Sequence, residues 1–494
     1  MIKTLKISFF LFAAIYFVSS CNDESYTTSS ADRLTYSTDT ITFDTIFTRV
    51  GSVTKLFKLY NFNKKPIKIS SAYLKGGVSS NYRISIDGEN NTEFRNLLIP
   101  SDDSLFVFVE VTLDPVNNNL PMVVEDAIVF NSNGNSDEII LESFGQDVHL
   151  FRGEVIESET WNNDKPYLIY NNLIVDEDNT LTIKPGVKVY LHYNSSLVVL
   201  GKLQVLGTFE EQVVFEGDRF DYGYDKSAGR WGTIVLMPGS EASIQYALIK
   251  NATAGLQVGQ PNEDEEFARL ELINTQIINS SWAGLLAFGS EINAYNCIIA
   301  DAKNHGLVLF MGGKYNFYHT TVSLNGAYSV VANNIETYSR SSDGLGVALL
   351  NFYSPHYTYD ENFLFKVETI PGDMVEANFY NSIIYGRNKS EFDTIDNQEN
   401  LMNFYFDHCL VKNDTFNIED SEHFNAIIEN EDPMFINDSL LLGELDFRLD
   451  TLSPAKDAGS FDIVNQHSIL QFDFEGKSRL ADGKPDLGAI EREE

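Results

Sequence analysis

The chain is poor in cysteine, with three among 494 residues, at positions 21, 297 and 409. That number cannot build a disulfide framework, and it is too small for a cysteine-based zinc site. Basic residues are scarce as well: 35 lysines and arginines face 71 aspartates and glutamates, a formal net charge of −36. A field of that sign repels nucleic acid and anionic membrane surfaces, so neither is expected as a direct partner. It also opposes an anionic glycan unless a local basic patch or a bridging cation intervenes. Long apolar runs are lacking. The stretch Ile7–Phe17 has eleven residues, too short for a typical membrane-spanning helix. Stretches with a 3.6-residue period are scarce, which argues against a helical protein.

What is present points to an all-β chain that buries a core. Hydrophobic residues make up 43% and charged residues 21%, so the composition is not that of a disordered protein. Val, Ile, Thr, Tyr and Phe are frequent, and Asn, Asp and Gly punctuate them. Lys3 and Lys6, the Ile7–Phe17 stretch and Val18-Ser19-Ser20-Cys21 form a processing signal. The last four residues resemble a bacterial lipobox. The resemblance implies that residues 1–20 are a lipoprotein signal peptide and that Cys21 carries the lipid. Asn22-Asp23-Glu24 is similar to the surface-export signal of Bacteroidetes lipoproteins. Residues 21–32 then read as a Ser/Thr-rich tether. The implied location is the outer membrane, facing the periplasm or the cell surface, with membrane contact through the lipid alone.

Residues 33–151 hold seven short apolar runs separated by turn signals, from "TITFDTIF" to "EIILESFG". Leu105, Val107, Val109 and Val111 share one face while Phe106 and Phe108 lie on the other, the period-two pattern of a strand. This spacing predicts a β-sandwich. The strings "KLFKLYNFNKKPIKI", "VTLDP" and "IVFNSNG" resemble the Ig-like domains of the abnormal-spindle and hydin type, which serve as spacers or binding modules.

Internal repetition organises residues 152–492. The tetrad Asn296-Cys297-Ile298-Ile299 recurs at Tyr246, Asn274, His319, Asn381 and His408, at spacings of 28, 22, 23, 62 and 27. Two and four residues before these tetrads stand apolar or small residues, as in Leu270/Leu272, Ile292/Ala294 and Phe404/Phe406. The extra residue marks a corner, occupied by Asn274, Asn296, His319, Asn381 and His408. Asn tolerates the positive φ of a tight corner, and His does so more readily than most residues. Stacked turns would align these residues into a ladder. Gly255, Gly284 and Gly306 open the following strands. These rungs, with the closing strings "SPAKDAGS" and "PDLGAIE", resemble the right-handed parallel β-helix proteins of the pectin-lyase-like superfamily. The resemblance implies roughly eleven or twelve turns, an insertion at about 333–375 and a C-terminal cap at about 457–491. Cys297 and Cys409 then point inward, roughly four or more turns apart, too far for a disulfide.

Enzymes that resemble this fold use aspartates around calcium with an Arg or Lys base, or clustered aspartates as acid and base. The hydrolase arrangement of paired aspartates with a Gly-His-Gly and an Arg-x-Lys is absent from the sequence. Glu263, Asp264, Glu265 and Glu266 are the only calcium candidates, and such a run is more often solvated surface. Asp301, Lys303 and His305 lie near one another without a second acid or base on the neighbouring turns. The 333–375 insertion carries Arg340, Asp343, Tyr353, His356, Tyr357, Tyr359 and Asp360, and the loop 218–230 carries Tyr222 and Tyr224. Aromatic faces with a few polar groups bind sugar rings; the plainer reading is that they pack loops onto the wall. The sequence therefore predicts a non-catalytic binding or structural protein directed to a polysaccharide. A polysaccharide lyase or glycoside hydrolase is the alternative. No cofactor is expected, with calcium the one left open.

Overall fold

The computed structural model describes residues 26–115, 122–261, 266–331, 334–337, 344–359, 365–439, 444–481 and 483–492. Cys21 and the stretch 1–20 expected to be a signal peptide lie outside the described residues. The chain divides into two units, Met1–Asp147 and Val148–Glu494, and it is all-β in both.

The first unit is a sandwich of two five-stranded sheets. One contains Thr35–Tyr36, Lys55–Asn61, Asp103–Val111, Tyr82–Ile86 and Glu89–Asn91; the other contains Thr40–Phe47, Asn135–Gln146, Met122–Ser132, Ile67–Leu74 and Glu93–Ile99. Alternation decides which side chains meet between them. Phe57, Leu59, Ile84, Val107, Val109 and Ile128 are buried in the shared core. Tyr82 crosses this core and donates its hydroxyl to the Val124 carbonyl at 2.7 Å. Seven of the ten strands coincide with the seven apolar runs. Glu93–Ile99 escapes sequence reading because its burial alternates only in part.

The second unit is a parallel β-helix. Each full turn contributes three strands. The first face is an eleven-stranded parallel sheet that begins at His149–Arg152 and ends at Ile428–Glu429. The second and third faces belong to one seventeen-stranded sheet. Gln276–Ile278, for instance, lies on the first face; Ala283–Tyr295 follows, its two halves on the second and third faces around a bend at Gly289, φ 44°. The coil thus opens at His149, inside the segment the sequence assigned to the sandwich, because His149–Arg152 pairs in parallel with Tyr167–Tyr170. The interior is one continuous apolar column from Ile156 to Phe424, with Leu270, Leu272, Ile292, Ala294, Tyr315, Phe317, Cys297 and Cys409 all in it. Within it Phe317, Phe379 and Phe406 stack at 5.0 and 4.7 Å with their rings nearly parallel.

Two predicted segments take a different form. The 333–375 stretch is not a single insertion. Val347–Leu350 inside it is a strand of the second face, with Val347 and Leu349 in the column. The extra residues form hairpins on either side, Tyr328–Val331 with Asn334–Thr337 and Phe352–Tyr359 with Phe365–Pro371. Since those residues all belong to one turn, Cys297 and Cys409 stand three turns apart rather than four, and both thiols are free and buried. Residues 457–491 are not an end cap. The column is closed instead by Phe404, Phe416, His423 and Phe424, which pack ring on ring.

Candidate functional site

At the corner between third and first faces, the backbone of Asn274, Asn296, His319, Asn381 and His408 has φ of 44°, 51°, 46°, 48° and 50°. A short amide suits this left-handed position and can bond along the stack. Asn296 Nδ2 donates to Asn274 Oδ1 at 3.0 Å, and Asn381 Nδ2 donates to His319 Nε2 at 2.9 Å. His319 Nδ1 lies 3.2 Å from the Gly488 carbonyl. An acceptor Nε2 and a donor Nδ1 describe a neutral imidazole. Burial, with Arg479 nearby, accordingly holds its pKa well below 6.5.

The partner of this corner is the C-terminal segment. It lies lengthwise along the wall as a strap. Ser460 N–H donates to Asn381 Oδ1, Gly488 N–H to the Asn381 carbonyl and Ala489 N–H to Thr321 Oγ1. Ile463, Val464 and Leu470 cover Ile273, Tyr295 and Tyr318; Phe447, Phe474 and Ile490 cover Ile298 and Ala300. Arg479 is fully buried. It bonds Glu491 Oε2 at 2.8 Å, Asn296 Oδ1 at 3.1 Å and the carbonyls of Gly488 and Ala489. Asp473 accepts from the Glu491 and Lys477 N–H groups, and Asp486 from those of Asp457 and Arg492. Three carboxyl groups share one guanidinium, so burial raises the pKa of Asp473 and Asp486 and pushes Glu491 up to about 8.

The corner between first and second faces carries a second ladder. Asn251, Asn279 and Asp301 sit there at φ 64°, 57° and 54°. Asn279 Nδ2 donates to Asn251 Oδ1 at 2.7 Å and to the Lys226 carbonyl, and Asn251 Nδ2 donates to the Asp225 carbonyl. The loop 218–230 is thereby docked on this corner. Tyr224 stands between the guanidinium groups of Arg219 and Arg230, 3.9 and 4.4 Å from its ring centroid, so cations occupy its faces. Tyr222 lies in the same short 3₁₀-helix, Asp221–Lys226, its side chain outside the described residues. Asp301 is buried, and burial raises its pKa well above 3.8. His305 Nδ1 accepts from the Leu345 N–H at 3.1 Å, and the Lys303 N–H donates to the Ser280 carbonyl. The Asp301 carboxyl accepts from the Asn325 N–H, so all three residues bond to neighbouring turns.

Of the hairpin candidates, Tyr353 packs edge-on against Phe288 and Phe310, at 5.1 and 5.2 Å, in an apolar cluster on the outside of the second face. The backbones of His356, Tyr357 and Tyr359 pair with Glu368, Val367 and Phe365; their side chains lie outside the described residues, as do Arg340, Asp343 and Asp360. Glu263, Asp264 and Glu265 also lie outside them, and Glu266 is exposed. Among the described residues, no three His, Cys, Asp or Glu side chains gather so as to hold a metal.

The exposed surface with the most regular chemistry is the third face. Its outward residues stack in register into two rows. Lys202, Glu241, Arg269, Glu291, Lys314 and Glu376 alternate in charge. Lys202 meets Glu241 at 2.8 Å, and Arg269 lies 3.6 Å from Glu241 and 3.5 Å from Glu291. Beside them run Ser243, Glu271, Asn293, Asn316 and Asn378. Asn378 Nδ2 donates to Asn316 Oδ1 at 3.0 Å, and Asn316 Nδ2 to Asn293 Oδ1 at 3.3 Å. A shallow groove of about 290 Å³ crosses both rows between Lys202 and Asn293. Its hydrogen bond with Lys202 and the charge of that ammonium hold the Glu241 carboxyl below its usual range.

No family model matches the chain, and no curated protein matches it. Among solved structures it is similar to the ASH/PapD-like domain 7 of human CEP192, 12% identical over 26% of this chain and 91% of that one, with a TM-score of 0.17. It is similar also to a family 123 glycoside hydrolase from Clostridium perfringens that hydrolyses glycolipid glycans, 12% identical over 25% of this chain and 26% of that one, TM-score 0.17. A third is the Vibrio cholerae VesB protease, 13% identical over 24% and 33%, TM-score 0.16. Likenesses this slight carry no argument.

Sequence reasoning missed the charge and amide rows. The signal was available: Arg269 and Glu271 flank the inward Leu270 and Leu272, and Glu291 and Asn293 hold the same places one turn on. The Asn251–Asn279–Asp301 ladder was missed because these residues lie between the tetrad and the glycine, in what reads as a loop.

Proposed function

We propose that this is a lipid-anchored protein of the bacterial cell envelope. It is held in the outer membrane through Cys21, facing the periplasm or the cell surface, and it binds or braces a polysaccharide without cleaving it. Its helix is read as one of the pectin-lyase-like superfamily and its sandwich as Ig-like. The observation that carries the reading is the third face. Hydrogen-bonding side chains repeat there turn after turn, about 4.8 Å apart, on the outward side of the sheet, where they are exposed or half-buried. A repeating surface suits a repeating ligand. The other conspicuous polar residues, at both corners, are occupied by the strap and by the loop 218–230.

Affinity electrophoresis of the purified full-length protein through gels containing different polysaccharides tests this. At least one polymer should retard the protein, and Arg269→Ala with Asn293→Ala should weaken retardation by about tenfold. Unchanged mobility in every polymer would sink the reading.

A polysaccharide lyase or hydrolase is the second reading, favoured by one observation. The groove sets Glu241, Glu271 and Glu291 beside Lys202 and Arg269, carboxylates with cations as such chemistry needs. Calcium would serve this reading, and it would equally serve the binding of an anionic glycan as a bridging cation. The lowered pKa of Glu241 suits an ion pair rather than a general acid near neutrality.

A further inference from the structure

We infer that the sandwich carries a second polysaccharide-binding face, on the outer side of strands Lys55–Asn61, Asp103–Val111 and Tyr82–Ile86; this rests on the proposed polysaccharide ligand. An antiparallel sheet with one solvated side ordinarily turns polar residues outward. Here the outward positions on either side of the buried Val107 are Phe106 and Phe108, 42% and 38% exposed, with Glu110 next in the row, and Leu56 beside them is 52% exposed. Phe62, the first residue beyond its strand, is 67% exposed and stacks on Tyr60 at 5.3 Å with the rings nearly parallel. Pairing register joins these into a strip, with Leu56 opposite Phe108 and Lys58 opposite Phe106. From Phe62 to Leu56 the strip runs about 20 Å along the strand.

Polar groups of the kind that hold sugar hydroxyls lie alongside. Phe108 forms one wall of a groove of about 420 Å³ whose other walls include Arg83, Ser85, Asn90, Asn91 and Glu110. A pyranose presents an apolar face of C–H bonds and a rim of hydroxyls. Aromatic rings next to amides, a guanidinium and a carboxylate match both. A protein interface would instead place an apolar centre inside a polar rim. Here Lys58 lies 4.5 Å from the Phe106 ring, within the strip itself. Lys58 and Arg83 give this face local positive charge on a chain of net charge −36, so it admits carboxylated sugars as well as neutral ones.

The test uses the full-length protein and affinity electrophoresis against one neutral polymer, xylan, and one acidic polymer, polygalacturonate. The variant F62A/F106A/F108A should lose affinity by about tenfold or more for the polymer that binds. Phe144→Ala, an exposed phenylalanine on the opposite sheet, should not. Since all four rings are exposed, matching melting temperatures confirm folding. If a polymer binds and the triple variant binds equally, this inference is overturned while the proposed function stands. If neither polymer binds, this inference falls, and the proposed function falls with it only when every other polysaccharide gel also leaves mobility unchanged. If neither binds but the triple variant dissociates a dimer in sedimentation, the face is a protein interface and the inference is likewise overturned.

Discussion

Arg479 has no solvent exposure, and it ties the strap to the ladder at Asn296. Replacing it with Met keeps most of the volume and leaves Glu491, Asp473 and Asp486 without their cation. Leaving its buried acceptors, the Glu491 carboxyl, Asn296 Oδ1 and the Gly488 and Ala489 carbonyls, without a donor costs about 1–3 kcal/mol each. Urea denaturation of Arg479→Met should show a loss of that order, and limited proteolysis should release the segment after residue 444; a melt like that of the parent would contradict the role. The same cluster sets a pH dependence. Burial pushes the Glu491 carboxyl from 4.5 up to about 8, partly opposed by Arg479. The folded state therefore holds a proton that the unfolded chain releases. This contribution is whole below 4.5 and is lost as pH rises toward 8. His319 works the other way. Held well below 6.5 by burial, it destabilises the fold as pH falls through 6.5. Between pH 6.5 and 8 the carboxyl dominates, and stability should fall by on the order of 1–2 kcal/mol. Glu491→Gln should lessen that fall in melts at the two pH values; an equal fall in both proteins would clear Glu491 of responsibility. At this scale the sequence was partly legible. The corner residues were visible because Asn and His recur in phase. Their bonds to Gly488, Ser460 and Arg479 were not, since these partners lie between 79 and 183 residues away in the chain.

At the scale of elements, the corner rests on two separable properties of Asn296, its φ of 51° and its amide bonds. Asn296→Gly keeps the backbone free and loses the bonds; Asn296→Ala loses both. Ala should be the worse by about 1 kcal/mol or more, read from chemical denaturation of the two variants, and equal losses would show that backbone strain is not in play. The glycines after the first face form a stricter constraint. A Cβ at Gly284 would stand 2.5 Å from Ile299 Cγ2 and 2.8 Å from the Gly306 carbonyl oxygen, so the turns could not stack at their present spacing. Gly346 continues that ladder, approaching Glu391 in the same manner. The sequence reading passed over Gly346 because a period broken by 62 residues between tetrads suggested one long insertion. The chain in fact adds a hairpin on each side of an ordinary strand at 347–350. The terminal segment misled for a related reason. Its polar, turn-rich composition fits a cap, yet the composition cannot distinguish a segment lying over the end from one lying along the side. Its apolar residues, Ile463, Leu470, Phe474 and Ile490, match outward apolar residues such as Ile273 and Ile298, a pairing invisible without the turns assembled.

At the scale of the molecule, period-two alternation pointed to the sandwich, and the tetrads recurring in phase, with the resemblance they carry, pointed to the helix; in both, one slipped residue would turn a whole strand inside out. The column's stability depends on that phase. Phe379 stacks between Phe317 and Phe406, and Phe379→Ala should cost about 3–5 kcal/mol, measured by thermal and urea unfolding. A loss below 1 kcal/mol would mean that the column collapses around the vacancy. The proposed binding surfaces were less legible, because they lie on outward positions that periodicity marks only as not inward. The cysteines, histidines and aspartates that look reactive in the sequence, Cys297, Asp301, His319 and Cys409, are instead buried in the walls and corners of the helix. The rows Lys202–Glu376 and Ser243–Asn378, and the rings Phe62, Phe106 and Phe108, remain on the surface. The central claim is that these surfaces hold a polysaccharide and leave it intact. It is tested most directly by incubating the full-length protein with a retained polymer, with and without calcium, and counting chain ends over time. The account predicts retention with no new reducing ends and no ultraviolet-absorbing unsaturated ends. Accumulation of either, abolished by Glu241→Gln, would contradict it.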